Sequence, residues 1–445
     1  MGEANKLDFV IRSITIGQRK LIENLSFQLY PGSIRLLKAP NGTGKSVLLS
    51  ILAGFDDNII DVEVSASYSN GSESFHIPKS IKQYRKYARQ RIGYLSHRLF
   101  EESLAVKFGE EINFITQKYT KIPDEISKTI EYLKANNDED LLVENMSKGH
   151  RQLLAMADVL SDYENYELIL LDEPSSYLSD NNLDVFLQQL KHISQVSTCS
   201  FLIASNDERL FNKGFTIISL SNQEKDKKEL QLPVSMPLLP AIPGLSIRIQ
   251  GNPIGQTGKL PLYFDEEIGE NESVLVTGSN GTGKTTFLNV CAGLMSIKGK
   301  IEFNCGYQKV KRRQLFPNYL SYLFQEPLNY EFRNSVDEIL CKMVNPKRMP
   351  FLDDLYEDVL DYYSISKTQN PKTLSSGQLR MLWIVSMLGW SRRWILDEPD
   401  ASLDSKSIKL FLDLLNIHIA NKGTVIIVTH NKELYRDYHF RTIEL

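Results

Sequence analysis

The chain has 445 residues, of which 42% are hydrophobic and 24% are charged, the composition of a globular protein with about two to three domains. A formal net charge of −4 gives no general attraction for nucleic acid, so no direct nucleic-acid partner is expected. The sequence has no apolar run of 18 residues, no signal-peptide pattern and no CxxC spacing among its four cysteines. We therefore expect a cytoplasmic protein without a membrane span, zinc site or disulfide framework.

The first informative element is a glycine-rich loop, APNGTGKS at 39–46, which lies between an apolar strand-like run and a helix-like run. The same arrangement returns as GSNGTGKT at 278–285. A phosphate-binding loop needs this context, because its backbone N–H groups and the helix N-terminus favour anions and its lysine adds a positive charge. The predicted nucleotide contacts are Asn41, Gly42, Thr43, Gly44, Lys45, Ser46 and Val47 in the first copy, and Asn280, Gly281, Thr282, Gly283, Lys284, Thr285 and Thr286 in the second.

An apolar run that ends in an acidic pair also occurs twice, as LILLDEPSSYLS at 168–179 and RWILDEPDASLD at 393–404. Such a run is typical of a strand buried in a parallel sheet, and ligands bind at the carboxyl ends of these strands. Asp172 and Asp397 end the two runs. Both are therefore predicted to hold Mg²⁺, directly or through water.

Four further side chains are predicted beside the phosphates. The hydroxyls of Ser46 and Thr285 are expected to ligate Mg²⁺ together with the two aspartates. Glu173 and Glu398 directly follow those aspartates and are candidates to polarise the attacking water. The alternative, a pair of solvated loop acids, is disfavoured because the glycine-rich loops upstream already predict bound phosphates.

A third strand-like run completes each copy, CSFLIASND at 199–207 and TVIIVTHNK at 424–432. His430 ends the second of these strands and is predicted to contact the γ-phosphate. Asn206 stands at the matching position of the first copy. A lone histidine at a strand end is usually structural, but the similar spacing from the aspartates favours a site residue in both copies.

These motifs, in this order and in two copies, resemble the ATP-binding cassette (ABC) ATPase superfamily over nearly the whole chain. The second copy also has the family's glutamine region, FQEP with Gln325, its signature LSSGQ at 374–378 and its SLD loop at 402–404. The resemblance implies hydrolysis of ATP with Mg²⁺, and it implies that Gln325 touches the metal and the attacking water. It further implies an α/β fold of two tandem P-loop NTPase domains, each with a RecA-like parallel-sheet core, a small antiparallel β part and a helical subdomain.

The signature of the first copy is altered, because MSKGH at 146–150 aligns with LSSGQ. In the family two lobes pair head to tail, so the resemblance implies intramolecular pairing in which each signature helix caps the ATP of the other lobe. Ser375 and Gln378 fit a capping box, whereas His150 replaces the glutamine, and Lys148 is a candidate phosphate contact. The signature residues predicted to bind nucleotide are Ser147, Gly149, Ser375, Ser376, Gly377 and Gln378.

A charged and then proline-rich stretch at 221–245 separates the two copies and is typical of an extended connector. We place the first nucleotide-binding domain at 1–222, the linker at 223–244 and the second domain at 245–445. A linker of this length lets the two domains face each other within one chain.

Departures from the family pattern concentrate in the first copy. They are His97 for Gln325, Asn206 for His430 and Ser179 for Asp404. We therefore expect the site of the second loop to carry most hydrolysis, whereas the site of the first loop holds ATP or turns it over slowly. No adenine-stacking aromatic stands out, although Tyr263 and Phe264 are candidates in the second copy.

The first copy is also longer between its loop lysine and its glutamine region. Lys45 to His97 spans 52 residues and Lys284 to Gln325 spans 41, so the excess is 11 residues, which we place within or near 56–90. Four basic residues in this stretch form a helical stripe, either a solvated face or a patch that contacts phosphate or RNA. They are Lys82, Arg85, Lys86 and Arg89, and KVKRR at 309–313 is open to the same two interpretations.

Three functions are compatible with such a chain. The favoured hypothesis is the ATPase subunit of an ABC transporter, peripheral on the cytoplasmic face of a membrane and docked on a separately encoded permease subunit. The second is a soluble tandem ABC protein of the F subfamily, which acts on ribosomes but typically has a long charged helical linker. The third, a DNA-repair ABC protein, would need zinc modules or long coiled coils, and neither is visible in the sequence.

Overall fold

The computed structural model describes most of the chain, and its two compact units are Met1–Lys225 and Asp226–Leu445. We refer to them as unit 1 and unit 2. The predicted linker at 223–244 lies outside the described residues, which are 6–16, 19–39, 43–54, 62–70, 73–77, 79–96, 107–119, 122–220, 245–254, 262–279, 281–315, 319–324, 335–338, 350–371, 374–387 and 393–445.

Unit 1 contains one parallel and one antiparallel sheet. Its strands are β1 (Leu7–Ile16), β2 (Arg19–Leu29), β3 (Ile34–Lys38), β4 (Val62–Ser69), β5 (Ser74–Ile77), β6 (Ile92–Leu95), β7 (Leu168–Asp172), β8 (Ser200–Ala204) and β9 (Thr216–Ser219). Its helices are α1 (Lys45–Leu52), α2 (Ile81–Arg91), α3 (Phe108–Lys118), α4 (Asp124–Asn136), α5 (Lys148–Ser161), α6 (Asp180–Val196) and α7 (Glu208–Phe211). The parallel sheet has the order β6-β7-β8-β3-β9 and the antiparallel sheet the order β2-β1-β4-β5.

Unit 2 repeats this plan. Its strands are β10 (Leu245–Pro253), β11 (Phe264–Ile268), β12 (Ser273–Thr277), β13 (Ile297–Cys305), β14 (Gln308–Lys309), β15 (Ser321–Leu323), β16 (Arg393–Asp397), β17 (Thr424–Val428) and β18 (Arg441–Glu444). Its longer helices are α8 (Lys284–Cys291), α9 (Pro350–Tyr363), α10 (Ser376–Met387) and α11 (Ser405–Ala420). The parallel order is β15-β16-β17-β12-β18 and the antiparallel order is β11-β10-β13-β14.

The predicted α/β architecture is confirmed, and the buried strands explain the apolar runs. Every position of β7 and of β16 is buried. Leu168 and Leu170 of β7 pack with the core that contains α1, whereas Ile169 and Leu171 pack with the core that contains α6. Because both faces of the strand are covered, its sequence is apolar throughout instead of alternating.

The register of the parallel strands defines where the acidic ends lie. Asp172 pairs with Ala204 at the end of β8, and Asp397 pairs with Val428 at the end of β17. The residues that follow these strands therefore meet at the carboxyl edge of each parallel sheet, where open α/β sheets bind ligands.

The two units differ most clearly ahead of the glutamine region. Unit 1 has α2 there, an 11-residue helix, whereas unit 2 has a three-residue 3-10 turn at Arg312–Gln314. The 11 extra residues of the first copy were placed within or near 56–90, and helix α2 covers the end of that stretch. Within the part of the chain that the structure describes, no helix combines the length and apolar character needed to cross a membrane.

Candidate functional site

Each glycine-rich loop turns into its helix through a left-handed glycine. Gly44 (φ 95°) and Gly283 (φ 96°) are the N-caps of α1 and α8. A Cβ atom at Gly44 would lie 3.1 Å from Leu21, and one at Gly283 would lie 2.5 Å from Leu262. Both the dihedral angle and the close neighbour require glycine, so the first helical turn keeps the tight approach that a phosphate needs.

The loop lysines are buried beneath their own loops. Lys45 Nζ donates to the carbonyl oxygen of Ala39 at 2.7 Å. Lys284 Nζ donates to the carbonyl oxygens of Gly278 and Ser279 at 2.9 and 2.8 Å. Burial lowers the pKa of the Lys284 ammonium from its ordinary value, and the neighbouring carboxylates oppose that shift. Each ammonium is thus held in place where a phosphate could exchange for the carbonyl oxygens.

The other predicted nucleotide contacts divide by whether the structure describes them. Thr43, Gly44, Ser46, Val47, Gly281, Thr282, Thr285 and Thr286 lie in the two loops or in the first turns of α1 and α8. Asn41, Gly42 and Asn280 lie outside the described residues, and so do the predicted metal ligand Gln325 and its counterpart His97. Ser376 begins α10, but only its backbone is described.

In unit 2 the structure brings together two of the three predicted metal ligands, Thr285 and Asp397, whereas Gln325 lies outside the described residues. Thr285 Oγ1 donates to Asp397 Oδ2 at 2.9 Å, and Asp397 is buried at the end of β16. A hydroxyl and a carboxylate at this distance are the pair with which P-loop NTPases hold Mg²⁺ against the phosphates. Among the described residues no group of three or more His, Cys, Asp or Glu could hold a metal. The hydroxyl of Thr285 and the carboxylate of Asp397 are oxygen donors of the kind that Mg²⁺ accepts together with phosphate oxygens and water.

In unit 2 the glutamate after that aspartate faces the predicted histidine. His430 Nε2 lies 3.3 Å from Glu398 Oε1, and both side chains are largely buried. Glu398 has φ 50°, and its N–H donates to the carbonyl oxygen of Val428 at 2.9 Å. Glu173 has the same left-handed backbone, with φ 48° and its N–H donating to the carbonyl oxygen of Ala204 at 2.8 Å, so the turn after the strand is alike in the two units.

The matching glutamate of unit 1 has different partners. Glu173 Oε2 accepts hydrogen bonds from Ser205 Oγ at 2.8 Å and from the Asn206 N–H at 3.3 Å. Lys45 Nζ lies 3.8 Å from the other carboxylate oxygen. Burial raises the pKa of Glu173, and these three donors oppose that rise. The pKa of Glu173 stays above its ordinary value, so these contacts orient the carboxylate but do not cancel the effect of burial.

The signature helices begin as predicted in unit 2 and differently in unit 1. Gln378 Oε1 accepts from the Ser375 N–H at 3.0 Å and Ser375 Oγ accepts from the Gln378 N–H at 3.2 Å, which confirms the capping box. Ser147 Oγ accepts from the His150 N–H at 3.2 Å, but the imidazole Nδ1 lies 3.1 Å from Asn137 Oδ1 near the end of α4. The histidine thus fastens the signature helix to the helical subdomain of its own unit.

Three further side chains were candidates to contact the nucleotide: Lys148, Phe264 and Tyr263. Lys148, considered as a phosphate contact, has its ammonium 4.6 Å from the centre of the Tyr177 ring in its own unit. Phe264 is buried and meets Phe287 edge-on at 5.1 Å, so the prediction of Phe264 as an adenine-stacking residue is wrong. Tyr263 is 59% exposed and stays a candidate.

Asp404 and Ser179, which occupy the same position in the two copies, both cap the helix that follows them. Asp404 caps α11, where its Oδ1 accepts from the Ser407 N–H at 2.8 Å and from Ser407 Oγ at 2.6 Å. Ser179 caps α6 and accepts from the Asn182 N–H at 3.4 Å. Both residue types are preferred N-caps, so this difference keeps the helix start intact.

Sequence reasoning missed one pair of residues, Gln152 of α5 and Arg380 of α10. Gln152 Nε2 donates to the carbonyl oxygens of Glu173, at 3.2 Å, and of Pro174. Arg380 Nη1 donates to the carbonyl oxygen of Glu398. Each side chain is buried and joins the signature helix to the loop that carries the glutamate. Both residues lie five positions after the serine of their signature, and this shared position was the feature of the sequence that could have identified them.

Comparison with known proteins gives one family and several relatives. A family model described as ABC transporter matches residues 22–176 and 264–401. YkoD of Bacillus subtilis (strain 168), named for HMP/thiamine import as an ATP-binding protein, is 24% identical, and the alignment covers 95% of this chain and 86% of YkoD.

Solved structures with two such units also superpose on the chain. An RNase-L inhibitor has a TM-score of 0.57 at 18% identity, covering 97% of this chain and 87% of the inhibitor. A chain in a structure of ribosome-bound archaeal Pelota and ABCE1 has a TM-score of 0.62 at 19% identity, covering 97% of this chain and 76% of that one. At such identities the likeness concerns the fold alone.

Proposed function

Since this chain belongs to the ABC transporter family, whose model matches it over more than half of its length, we propose that it is the ATP-hydrolysing subunit of an ABC transporter. The chain is an ABC-type ATPase. The observation that carries the proposal is the repetition, in each unit, of a phosphate loop, an acidic strand end and a signature helix start. Nucleotide-driven closure of two such units is the motion that a transporter subunit supplies to its partner.

In the proposed reaction, Glu398 orients and deprotonates a water molecule. The water oxygen attacks the γ-phosphorus while the bond to the β–γ bridging oxygen breaks, which gives ADP and phosphate. His430, at 3.3 Å from Glu398, is placed to contact the γ-phosphate and to hold the base in its orientation. Lys284 adds positive charge next to the transferred group.

Mg²⁺ would be held in unit 2 by Thr285, Asp397 and Gln325, and in unit 1 by Ser46 and Asp172. When bound, the cation would neutralise part of the phosphate charge and orient the phosphate oxygens of ATP. The hydrogen bond from Thr285 Oγ1 to Asp397 supports this assignment, because it holds the carboxylate beside the first turn of the phosphate-loop helix.

The two units are proposed to pair within the chain, so that the signature of one completes the nucleotide site of the other. A test places cysteines at Ser147 and at Ser279 and adds a short bismaleimide with ATP in the Glu398→Gln background. We expect a crosslink that needs both cysteines and ATP. A chain that never crosslinks under these conditions argues against the pairing, with each single-cysteine variant as control.

We propose that the site of the second phosphate loop performs most hydrolysis. Its support is the contrast between Glu398, which faces a histidine, and Glu173, which accepts hydrogen bonds from a serine and a backbone N–H. The site of the first loop would then hold ATP for longer and stabilise the closed state.

The proposed partner is a separately encoded membrane permease, which places the chain on the cytoplasmic face of a membrane. Affinity capture of the tagged chain from detergent-solubilised membranes tests this directly. The expected result is a polytopic membrane protein recovered in a fixed ratio, retained with ATP and enriched over a capture from the same membranes without the tagged chain. Recovery of ribosomal subunits in its place would reject the transporter assignment.

A ribosome-associated ATPase is the second candidate, and α2 is the observation in its favour. This helix has no acidic residue, and Lys82, Lys86, Arg89 and Arg91 are exposed on it. Such a surface suits an anionic partner. Co-sedimentation with ribosomes that depends on nucleotide and is lost in the Lys82→Glu/Lys86→Glu double variant would favour this candidate. Co-sedimentation that is the same with and without ATP would count against it.

A further inference from the structure

Four buried side chains of unit 2 form a chain of polar contacts between two helix starts. Asp404 Oδ1, at the start of α11, accepts from Ser407 Oγ at 2.6 Å. The Tyr363 hydroxyl, at the end of α9, lies 2.5 Å from that serine oxygen. Gln378 Nε2 lies 3.5 Å from the Tyr363 carbonyl oxygen, and Gln378 Oε1 accepts from the N–H of the signature serine Ser375 at 3.0 Å. The chain therefore joins the signature of unit 2 to the cap of α11.

The direction of the hydroxyl bonds in this chain is fixed by its acceptor. Ser407 has a single hydroxyl hydrogen, which it donates to Asp404. Tyr363 must therefore donate its own hydrogen to Ser407 Oγ. Burial raises the pKa of Tyr363 above its ordinary value, so the phenol keeps the proton that it donates. Buried hydrogen bonds that run in one direction toward a carboxylate strengthen one another.

The tyrosine and the serine are withdrawn from water, which makes their contact difficult to replace. Tyr363 is 3% exposed, and Ser407 is fully buried. A buried hydroxyl that loses its partner costs free energy, because water cannot take the partner's place. Loss of the Tyr363 hydroxyl would therefore remove a donor from Ser407 and break the connection between α9 and α11.

The residues that form this chain are replaced in unit 1. The two signatures are 228 positions apart, and the residue at that distance before Tyr363 is Ala135, which is exposed on α4. Asn182 takes the place of Ser407, since each lies three positions after the residue that caps its helix. In unit 1 the ring of His150 fastens the signature to the end of α4. The two units therefore hold their signatures through different contacts.

We propose that Tyr363 is a positioning residue that ties the signature of unit 2 to the loop between Glu398 and Asp404. The proposal rests on the proposed function, in which this signature caps the ATP of the first phosphate loop and Glu398 serves the second. Glu398 begins that loop directly after β16, and Asp404 ends it as the cap of α11. A signature displaced by nucleotide thus shifts the loop that carries Glu398, so the second site responds to ATP at the first.

The first test measures the connection itself by hydrogen exchange of the full chain, independently of catalysis. Tyr363→Phe removes only the phenol oxygen and is expected to speed amide exchange several-fold at the start of α10 and in the first turn of α11. Tyr356→Phe is the matched control, because Tyr356 is a buried tyrosine of the same helix whose hydroxyl donates to the Val336 carbonyl oxygen at 3.2 Å. It should leave both segments unchanged. A Tyr363→Phe effect that is confined to α9 overturns the proposal.

The second test uses steady-state ATPase kinetics to ask whether Tyr363 acts through the signature. Tyr363→Phe is expected to raise KM for ATP about three- to tenfold, the usual effect of losing one buried hydrogen bond. Gln378→Leu breaks the same chain and also the capping box, so its effect should be larger. The double variant should be no more impaired than Gln378→Leu alone, since the connection is already lost. Effects that multiply would show that Tyr363 acts elsewhere, and they would overturn the proposal.

A failure of the proposed function gives a different result. Ser375→Ala should itself raise KM for ATP if the signature caps nucleotide, and an unchanged KM would reject that role, whereas the exchange experiment would still decide whether Tyr363 joins the two segments. A raised KM in Ser375→Ala with an unchanged KM in Tyr363→Phe overturns the positioning role. Thermal unfolding identifies any variant that does not fold. Should Tyr363→Phe be one of them, Ser407→Ala breaks the chain at the next bond and is expected to give the same exchange pattern.

Discussion

The glutamate after the strand-end aspartate is the same residue in both units, yet its neighbours differ. Glu173 accepts hydrogen bonds from Ser205 Oγ and from the Asn206 N–H, whereas Glu398 lies 3.3 Å from His430. The lysine of the phosphate loop interacts with the glutamate in both units. An identical DEP motif therefore has two chemical settings. The comparison teaches that one motif can place its glutamate among different partners, because those partners come from the segment that follows the neighbouring strand.

A second contrast concerns how the turn after the third strand is stabilised. Unit 2 uses a carboxylate, Asp400, and unit 1 uses the guanidinium of Arg209, which donates to the carbonyl oxygens of Ser175 and Leu178. Both solutions satisfy buried polar groups, so both turns are stable. A histidine lies beside the glutamate only in unit 2, because unit 1 has Asn206 at that position.

The largest expected effect comes from replacing each glutamate by its amide. Glu398→Gln should lower steady-state ATPase at least on the order of a hundredfold, because the general base is lost. Glu173→Gln is its matched control and should leave most of the activity. Phosphate release at saturating ATP measures both, and the opposite ranking would reverse the assignment of the working site.

Exchanging the residue beside the glutamate should have the next largest effect. His430→Asn installs the residue of unit 1 and is expected to lower kcat by tens-fold, since the contact with Glu398 is lost. Asn206→His is the reciprocal change and should raise activity little, because Ser205 still donates to Glu173. A strong gain from Asn206→His alone would show that the histidine, not the serine, limits the first site.

The metal ligands should show the same asymmetry at a smaller scale. Thr285→Val removes the hydroxyl that donates to Asp397 and is expected to raise the Mg²⁺ concentration for half-maximal ATPase about tenfold. Ser46→Ala in the first loop is the matched variant and should change it less than about twofold, provided that the first site contributes little turnover. Equal shifts would mean that both sites contribute to the measured rate.

The smallest expected effect is on helix stability. Asp404→Ala removes two acceptor contacts at the start of α11 and should destabilise that helix by about 1–2 kcal/mol. Ser179→Ala removes one longer contact of α6 and should cost about 0.5 kcal/mol. Hydrogen exchange of peptides from each helix separates the two values. A larger loss in α6 would contradict the geometry.

The sequence by itself determined the α/β class, the strand that ends at each acidic pair and the capping box of the second signature. These features depend on residues close together in the chain, whose spacing matches the period of a helix or strand. The glycine that caps each phosphate-loop helix belongs with them, because a left-handed turn before a helix has few alternatives to glycine.

Only the tertiary structure decided which side chains contact the glutamates and the turns beside them. Asp400 and Thr429 are 29 residues apart, and Arg380 and the Glu398 carbonyl are 18 apart, so no periodic pattern connects them. The direction in which a serine or threonine hydroxyl donates depends on the nearest acceptor in space. In the sequence, His150 only replaces the glutamine of the signature. The structure adds that its Nδ1 lies 3.1 Å from Asn137 Oδ1. Contacts of this kind arise from packing between distant segments, which a single sequence does not encode locally.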